Sequence, residues 1–255
     1  MSDVALRTAY ATVERSSAAA VDAALAANGV PTTPAEAAYM AETMVPWMNH
    51  HRQKQWAVQA AAIRARTPGM TVAPPRMYTV DNLTKLIMRT AGLMPGQPMT
   101  VPVEMFDAAT QKDVTHRIAP FSMPEDEAVK IAMARRLAAG LARHAKQAGR
   151  DAVIDTATVN RVRWARQMSG SETCPFCAML VSRGAVYSEQ TAHFRTHDHC
   201  DCTAVVVPNP KRWDGKDQAD EFEQLWRESV KEAKKDPDAT ALAVFRRKYR
   251  KMNGE

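Results

Sequence analysis

Apolar residues recur at helical spacing over most of this 255-residue chain. Val4, Ala5, Tyr10, Val13, Ala20, Val21 and Leu25 mark one face of a helix over 3–28, and Asn28-Gly29 supplies its stop. Pro31-Thr-Thr-Pro34 is a hinge. Thr33 caps the next helix, with Pro34 at its first position and Glu36 in its first turn. That helix reaches Val45, is kinked or restarted at Pro46, and continues to Arg66. A short helix is expected from Val80 to Thr90, with Asp81 as an alternative cap. A Pro-rich connection follows over 92–102, and Val101 to Ile118 suits a strand or a short helix equally. Ser122 and Glu125 fit a capping box that opens the clearest helix. Its stripe is Val129, Met133, Leu137, Leu141 and Ala145, and Gly149 is expected to close it. A second helical piece is expected over Ala152–Met168, then a buried strand over Thr203–Val207. An amphipathic helix follows over 217–234, and Asp236-Pro237 is expected to cap a last one.

The fold class this predicts is mainly α, with a small zinc-stapled α+β module. The chain divides into a helical N-terminal region over 1–120, the module over 121–208, and C-terminal helices over 209–255. Composition agrees. Hydrophobic residues make up 45% and aromatics 6%, which fits a folded, helix-rich chain. No apolar run approaches the ~20 residues of a membrane span.

Charge adds a second theme. The net charge is +6 and the pI about 9.2, which hints at an anionic partner. Positive residues concentrate in two places. One holds Arg135, Arg136, Arg143, Arg161, Arg163 and Arg166. The other is the C-terminal run with Arg246 and Arg247. A solvated helix face accounts for such runs, and contact with DNA phosphates or an acidic protein surface is the functional alternative. No aromatic ladder accompanies them, which argues against stacking on single-stranded bases.

The chemistry sits between Cys174 and Cys202. All four cysteines lie here, as Cys174-x-x-Cys177 and Cys200-x-Cys202, with His197 and His199 just before the second pair. Two thiolate pairs brought together from separate segments make a tetrahedral zinc site, and binding would fold the irregular loop between them. Disulfides, a thioredoxin-like redox pair and four unconnected buried thiols are the competing readings. A reducing cytosol disfavours the first, and an Arg-rich helical stretch where a strand should stand disfavours the second. Six candidates compete for four positions: an all-cysteine set, or Cys174, Cys177, His197 and Cys200. Four protein ligands make a closed, structural site. Met179-Leu-Val181 is expected to pack beneath the metal. His50 and His51 point about 100° apart on a helix and are poor joint ligands.

These motifs stand in one order: Arg163-Trp-Ala-Arg166, Cys174-Pro-Phe-Cys-Ala-Met-Leu180, Ser182-Arg-Gly184, Tyr187 and His197-Asp-His-Cys-Asp-Cys202. The run resembles the minor head proteins of tailed phages, the Mu F-like group, in the actinobacteriophage version often labelled capsid maturation protease. The family's cysteine pairs fall on Cys174 and Cys177 and on Cys200 and Cys202, with His197 three before Cys200. Its usual Pro after that histidine is Asp198 here. The resemblance implies a minor capsid protein in the virion, inside the capsid at the portal vertex. The implied partners are the portal protein, scaffold or major capsid protein, and packaged DNA. The alternatives are a capsid maturation protease cutting scaffold or capsid precursors, and a zinc-ribbon nucleic-acid module. The residues themselves give a peptidase little support. There is no Gly-x-Ser-x-Gly elbow and no His-Glu-x-x-His. Ser169, Ser171 and Ser182 read as turn residues, and His116 and His193 have no visible partner.

Overall fold

The computed structural model describes residues 3–96, 99–168, 174–187, 194, 196–197, 200 and 202–254. Seven α-helices and two antiparallel strand pairs are found among them. No helix among these residues is long and apolar enough to cross a membrane. The chain forms two compact units, one of 1–9, 55–75 and 148–255, the other of 10–54 and 76–147.

In the second unit, α1 (Asp3–Asn28), α2 (Pro34–Arg66), α3 (Val80–Ala91) and α4 (Glu127–Val159) supply a common core. Val13, Val21, Met40, Met44, Met48, Leu83, Ile87, Met133, Leu137 and Leu141 are all buried in it. The i, i+4 stripe predicted on α4 is therefore the face it buries. Helix α2 runs unbroken through Pro46. Helix α3 is well delimited. The Thr79 hydroxyl accepts from the Asn82 amide at 3.2 Å, and Gly92, at φ +83°, ends it. Gly92 has no substitute here, since a Cβ would lie 2.9 Å from the Met99 carbonyl oxygen. Lys146 is buried and held to Glu14 at 2.6 Å, with its ammonium 4.8 Å from the centre of the Tyr10 ring.

The ambiguous stretch over 101–118 is a β-hairpin of β1 (Val101–Asp107) and β2 (Lys112–Ile118), with Val101 opposite Ile118. Alternation on β1 buries Val101 and Val103 against Val129 of α4. The Asp107 carboxylate accepts the Ala109 amide at 2.8 Å and fixes the turn.

Four expected element boundaries change. Ser122 does not cap α4. Its hydroxyl donates to the Ala119 carbonyl within a short 3-10 turn, and the Asp126 carboxylate caps the helix by accepting from Val129. Gly149 does not close α4, which runs on for ten more residues. This glycine is instead a point of close approach within the first unit, where a Cβ would meet the Gln59 side chain at 3.0 Å and the Gln55 carbonyl at 3.2 Å. The helix expected over 152–168 ends at Val159. Arg161 turns the chain at φ +52°, and the Val162 amide reaches back to the Ala157 carbonyl at 2.9 Å. The next residues form β3 (Arg163–Gln167), paired with β4 (Thr203–Val207) so that Arg163 faces Val207. Asp236-Pro237 does not cap the last helix, since the Thr240 hydroxyl does so by accepting from Ala243 at 3.2 Å.

In the first unit, α5 (Pro175–Val181), α6 (Lys216–Ala233) and α7 (Ala241–Met252) complete the order. Ala178 and Val181 of α5 pack with Phe222, Phe245 and Tyr249 of α6 and α7. Met179 leans on the same cluster. This stretch therefore supports the C-terminal helices rather than the floor of the cysteine cluster.

Candidate metal centre

Cys174 is the N-cap of α5 and Cys177 lies in its first turn. That spacing turns both sulfurs to one side of the helix start. Cys200 and Cys202 arrive on the segment that becomes β4, which is held by its ladder to β3. His197 precedes them, and its carbonyl accepts the Cys200 amide at 3.3 Å. A non-local strand pair and one short helix thus bring together residues that stand up to 28 positions apart.

Five ligand atoms converge. The Cys174 Sγ lies 3.1 Å from His197 Nε2, and the Cys177 Sγ lies 3.5 Å from both His197 Nε2 and the Cys200 Sγ. The Cys200 and Cys202 sulfurs are 2.9 Å apart. All four cysteines are free thiols, so the disulfide reading fails for this structure. The atoms form two triads that could hold a metal ion: Cys174, Cys177 and His197, and Cys177, Cys200 and Cys202. Cys177 is common to both. Sulfur ligands about 2.3 Å from a tetrahedral zinc stand about 3.8 Å from one another, close to the Cys177–Cys200 separation. His199 lies outside the described residues.

The sulfurs share protons as one network. The Cys174 thiol is lowered to about 5, first by the hydrogen bond with Cys177, with His197 adding to the effect. Cys200 is lowered to about 2 by its bonds with Cys177 and Cys202, and the Arg150 charge adds to this. Cys177 is pushed far above the usual thiol range by its bonds to Cys174, Cys200 and Cys202. For Cys202 the bond with Cys177 lowers the pKa, but the bond with Cys200 and burial outweigh it and raise it to about 11. The bonds among the sulfurs favour the thiolate at Cys174 and Cys200 and the thiol at Cys177 and Cys202. A cation would take the protons' place, since the thiolate is the ligand form.

The surroundings hold this cluster in register. Trp164 of β3 stacks on Tyr187 at 4.5 Å between ring centres and on Phe194 at 5.6 Å. These rings share a buried cluster with Cys177, Cys200 and Cys202. Arg150, fully buried on α4, donates to the Cys202 carbonyl at 3.0 Å and to the Cys200 carbonyl at 2.7 Å. Arg166 lies over the Phe194 ring at 3.8 Å and directs a guanidinium nitrogen to the Cys202 Sγ at 3.6 Å. Sequence reasoning missed the roles of Arg150 and Phe194. A signal for Arg150 exists, because Ala142, Lys146 and Arg150 recur every four residues and all three are buried.

The basic residues singled out in the sequence separate. Arg166 is buried at the cluster, so it lies off any outward basic face. Arg135, Arg161, Arg163 and Arg246 are exposed. Arg163 reaches the Ala185 carbonyl at 3.4 Å, Arg136 donates to the Thr100 carbonyl at 2.9 Å, and Arg143 is half-buried. Arg247 is exposed and pairs with Glu232 on α6. Ser182 is buried and its hydroxyl donates to the Met179 carbonyl at 2.7 Å, as a turn residue would. His116 is exposed on β2, while Ser169, Ser171 and His193 lie outside the described residues.

A family model described as VG15 protein matches residues 95–229, just over half of the chain and the whole cysteine cluster. This chain belongs to the VG15 protein family. It is similar to the Gene 15 protein of Mycobacterium phage D29, at 28% identity over 162 residues, covering 45% of this chain and 59% of that protein. It is also similar to the Gene 15 protein of Mycobacterium phage L5, at 32% identity over 109 residues, covering 28% of this chain and 37% of that protein. The chain thus spans between about a third and three fifths of these curated relatives. With its family, it is a phage protein. No solved structure matches it.

Proposed function

We propose that this VG15 family protein is a minor structural protein of the phage head, present in the virion at or near the portal vertex and acting in head morphogenesis. The observation that carries this reading is the convergence of Cys174, Cys177, His197, Cys200 and Cys202 in a family whose relatives are mycobacteriophage proteins. The order of these residues resembles that of the Mu F-like minor head proteins. Thiolate and imidazole donors suit zinc, and five candidates for four positions leave a closed site with a structural role. In this reading zinc supplies the clip that fixes the shape of residues 163–207. The exposed basic residues of the chain then meet portal, scaffold or major capsid protein, or packaged DNA.

Immunogold labelling of purified virions tests the location, and co-sedimentation of the pure chain with portal rings tests the contact. Label confined to one vertex, together with pelleting that needs the rings, is expected. Label absent from virions would overturn the reading. Incubation with scaffold and capsid protein separates the protease alternative, since specific cleavage lost on a single Ser→Ala change would establish it instead.

A further inference from the structure

We propose that a basic cleft on the second unit binds an acidic peptide segment of a partner protein, one that interleaves carboxylates with apolar side chains. The cleft, of about 610 Å³, is lined by Arg89, Arg117 and Arg136 around Thr100. These arginines come from α3, β2 and α4. The Arg117 Nε donates to the Thr100 hydroxyl at 3.1 Å, and Arg136 donates to the Thr100 carbonyl at 2.9 Å. Both guanidiniums are thereby aimed at one spot by the same residue. Among the described residues no carboxylate lines the cleft. Three like charges converging without a counter-charge repel one another, and an anion placed among them relieves that repulsion. Arg89 has a partial local explanation, because it lies in the last turn of α3 where a cation suits the helix dipole. Arg117 and Arg136 have none of this kind.

Three features favour a peptide over a nucleic acid. The remaining lining is apolar, from Met94, Pro95 and Met99, and methionine adapts readily to apolar side chains. Among the described residues no aromatic ring lines this first cleft, so bases have nothing to stack on within it. Its volume falls within the roughly 300–1,000 Å³ of sites that enclose a discrete ligand, whereas a duplex backbone lies across a broad surface. Arg89 also lines a second cleft, of about 350 Å³, together with Lys85, Tyr78 and His144. Two clefts sharing one arginine suit an extended chain better than a single small anion. Guanidinium forks match carboxylates in a two-bond geometry that lysine does not reproduce.

The inference goes beyond the head-protein reading and does not rest on it or on the metal centre. The test uses the full chain and a fluorescein-labelled peptide of alternating glutamate and leucine, followed by anisotropy. Saturable binding is expected, weakened about tenfold or more by Arg117→Glu, with Arg117→Lys intermediate. Arg117 is exposed, so thermal melting should be unchanged. If that variant does not fold, Arg89→Glu, also exposed, serves the same purpose. Equal binding of the peptide with glutamine in place of glutamate would overturn the proposal. So would unchanged affinity in the charge-reversed variants. Binding of duplex DNA, lost in the same variants while the acidic peptide fails to bind, would assign the cleft to nucleic acid and also overturn it.

Discussion

Leu137 and Cys177 are both almost wholly buried, yet their neighbours differ in kind. Leu137 sits among methionines, leucines and alanines contributed by four helices. Dispersion and hydrophobic burial are spread there over many side chains, none of which is indispensable by itself. Cys177 sits within 3.5 Å of another sulfur and an imidazole, on a seven-residue helix beside a pair of five-residue strands. Isolated two-stranded pairs are marginal in water. Stability in the second case is concentrated in a few polar atoms, so the two regions should respond very differently to the loss of one side chain.

The largest effect is expected from Cys177→Ser, because Cys177 belongs to both triads. Metal should be lost, and with it a local contribution that reaches roughly 10–16 kcal/mol in isolated zinc peptides. Hydrogen–deuterium exchange should show loss of protection over 163–167 and 203–207, while α3 stays protected. Leu137→Ala is the mirror experiment. It should cost about 2–5 kcal/mol in denaturant titrations followed in the second unit, and leave the metal content unchanged. If the two variants unfolded the same residues, the contrast between the regions would collapse.

Arg150→Met sharpens the account within the first unit. It keeps the bulk but removes the donors to the Cys200 and Cys202 carbonyls. A loss of about 1.5–3 kcal/mol is expected, with faster metal release to a chelator as the readout. The smallest effect concerns pH in the second unit. His51 is bonded to the Ser16 hydroxyl at 3.0 Å, and burial, helped by His50 and Lys54, holds its pKa below 6.5. The unfolded chain therefore binds the proton more readily. The stability from neutral His51 is complete above pH 6.5 and is lost as pH falls through the lower folded value. His51→Gln should flatten the denaturation midpoint below pH 6.5.

The two regions were also unequally legible in the sequence. The stripe from Val129 to Leu141 repeats a period that local geometry alone sets, and it is the buried face of α4. The cysteine pairs declared themselves because close spacing of thiols has few other causes. Strand β3 was unreadable as a strand. Its five residues follow a long helix, and their pairing partner lies some forty positions later, so nothing local marks the change. Arg161 hides the break, since a left-handed turn usually shows itself as glycine. Gly149 misled in the opposite sense, because its missing side chain serves close packing with Gln55 and Gln59 rather than a helix end. Asp126 and Thr240 took the capping roles expected of Ser122 and Asp236, because several oxygen-bearing side chains crowd each helix start and sequence does not rank them.

Elemental analysis of the purified full chain, read beside its near-ultraviolet circular dichroism, tests the central claim most directly. One zinc per chain is predicted, with the signal of Trp164 and its stacked rings collapsing as a chelator removes the metal. A chain that holds no zinc and keeps that signal unchanged in the chelator would contradict it.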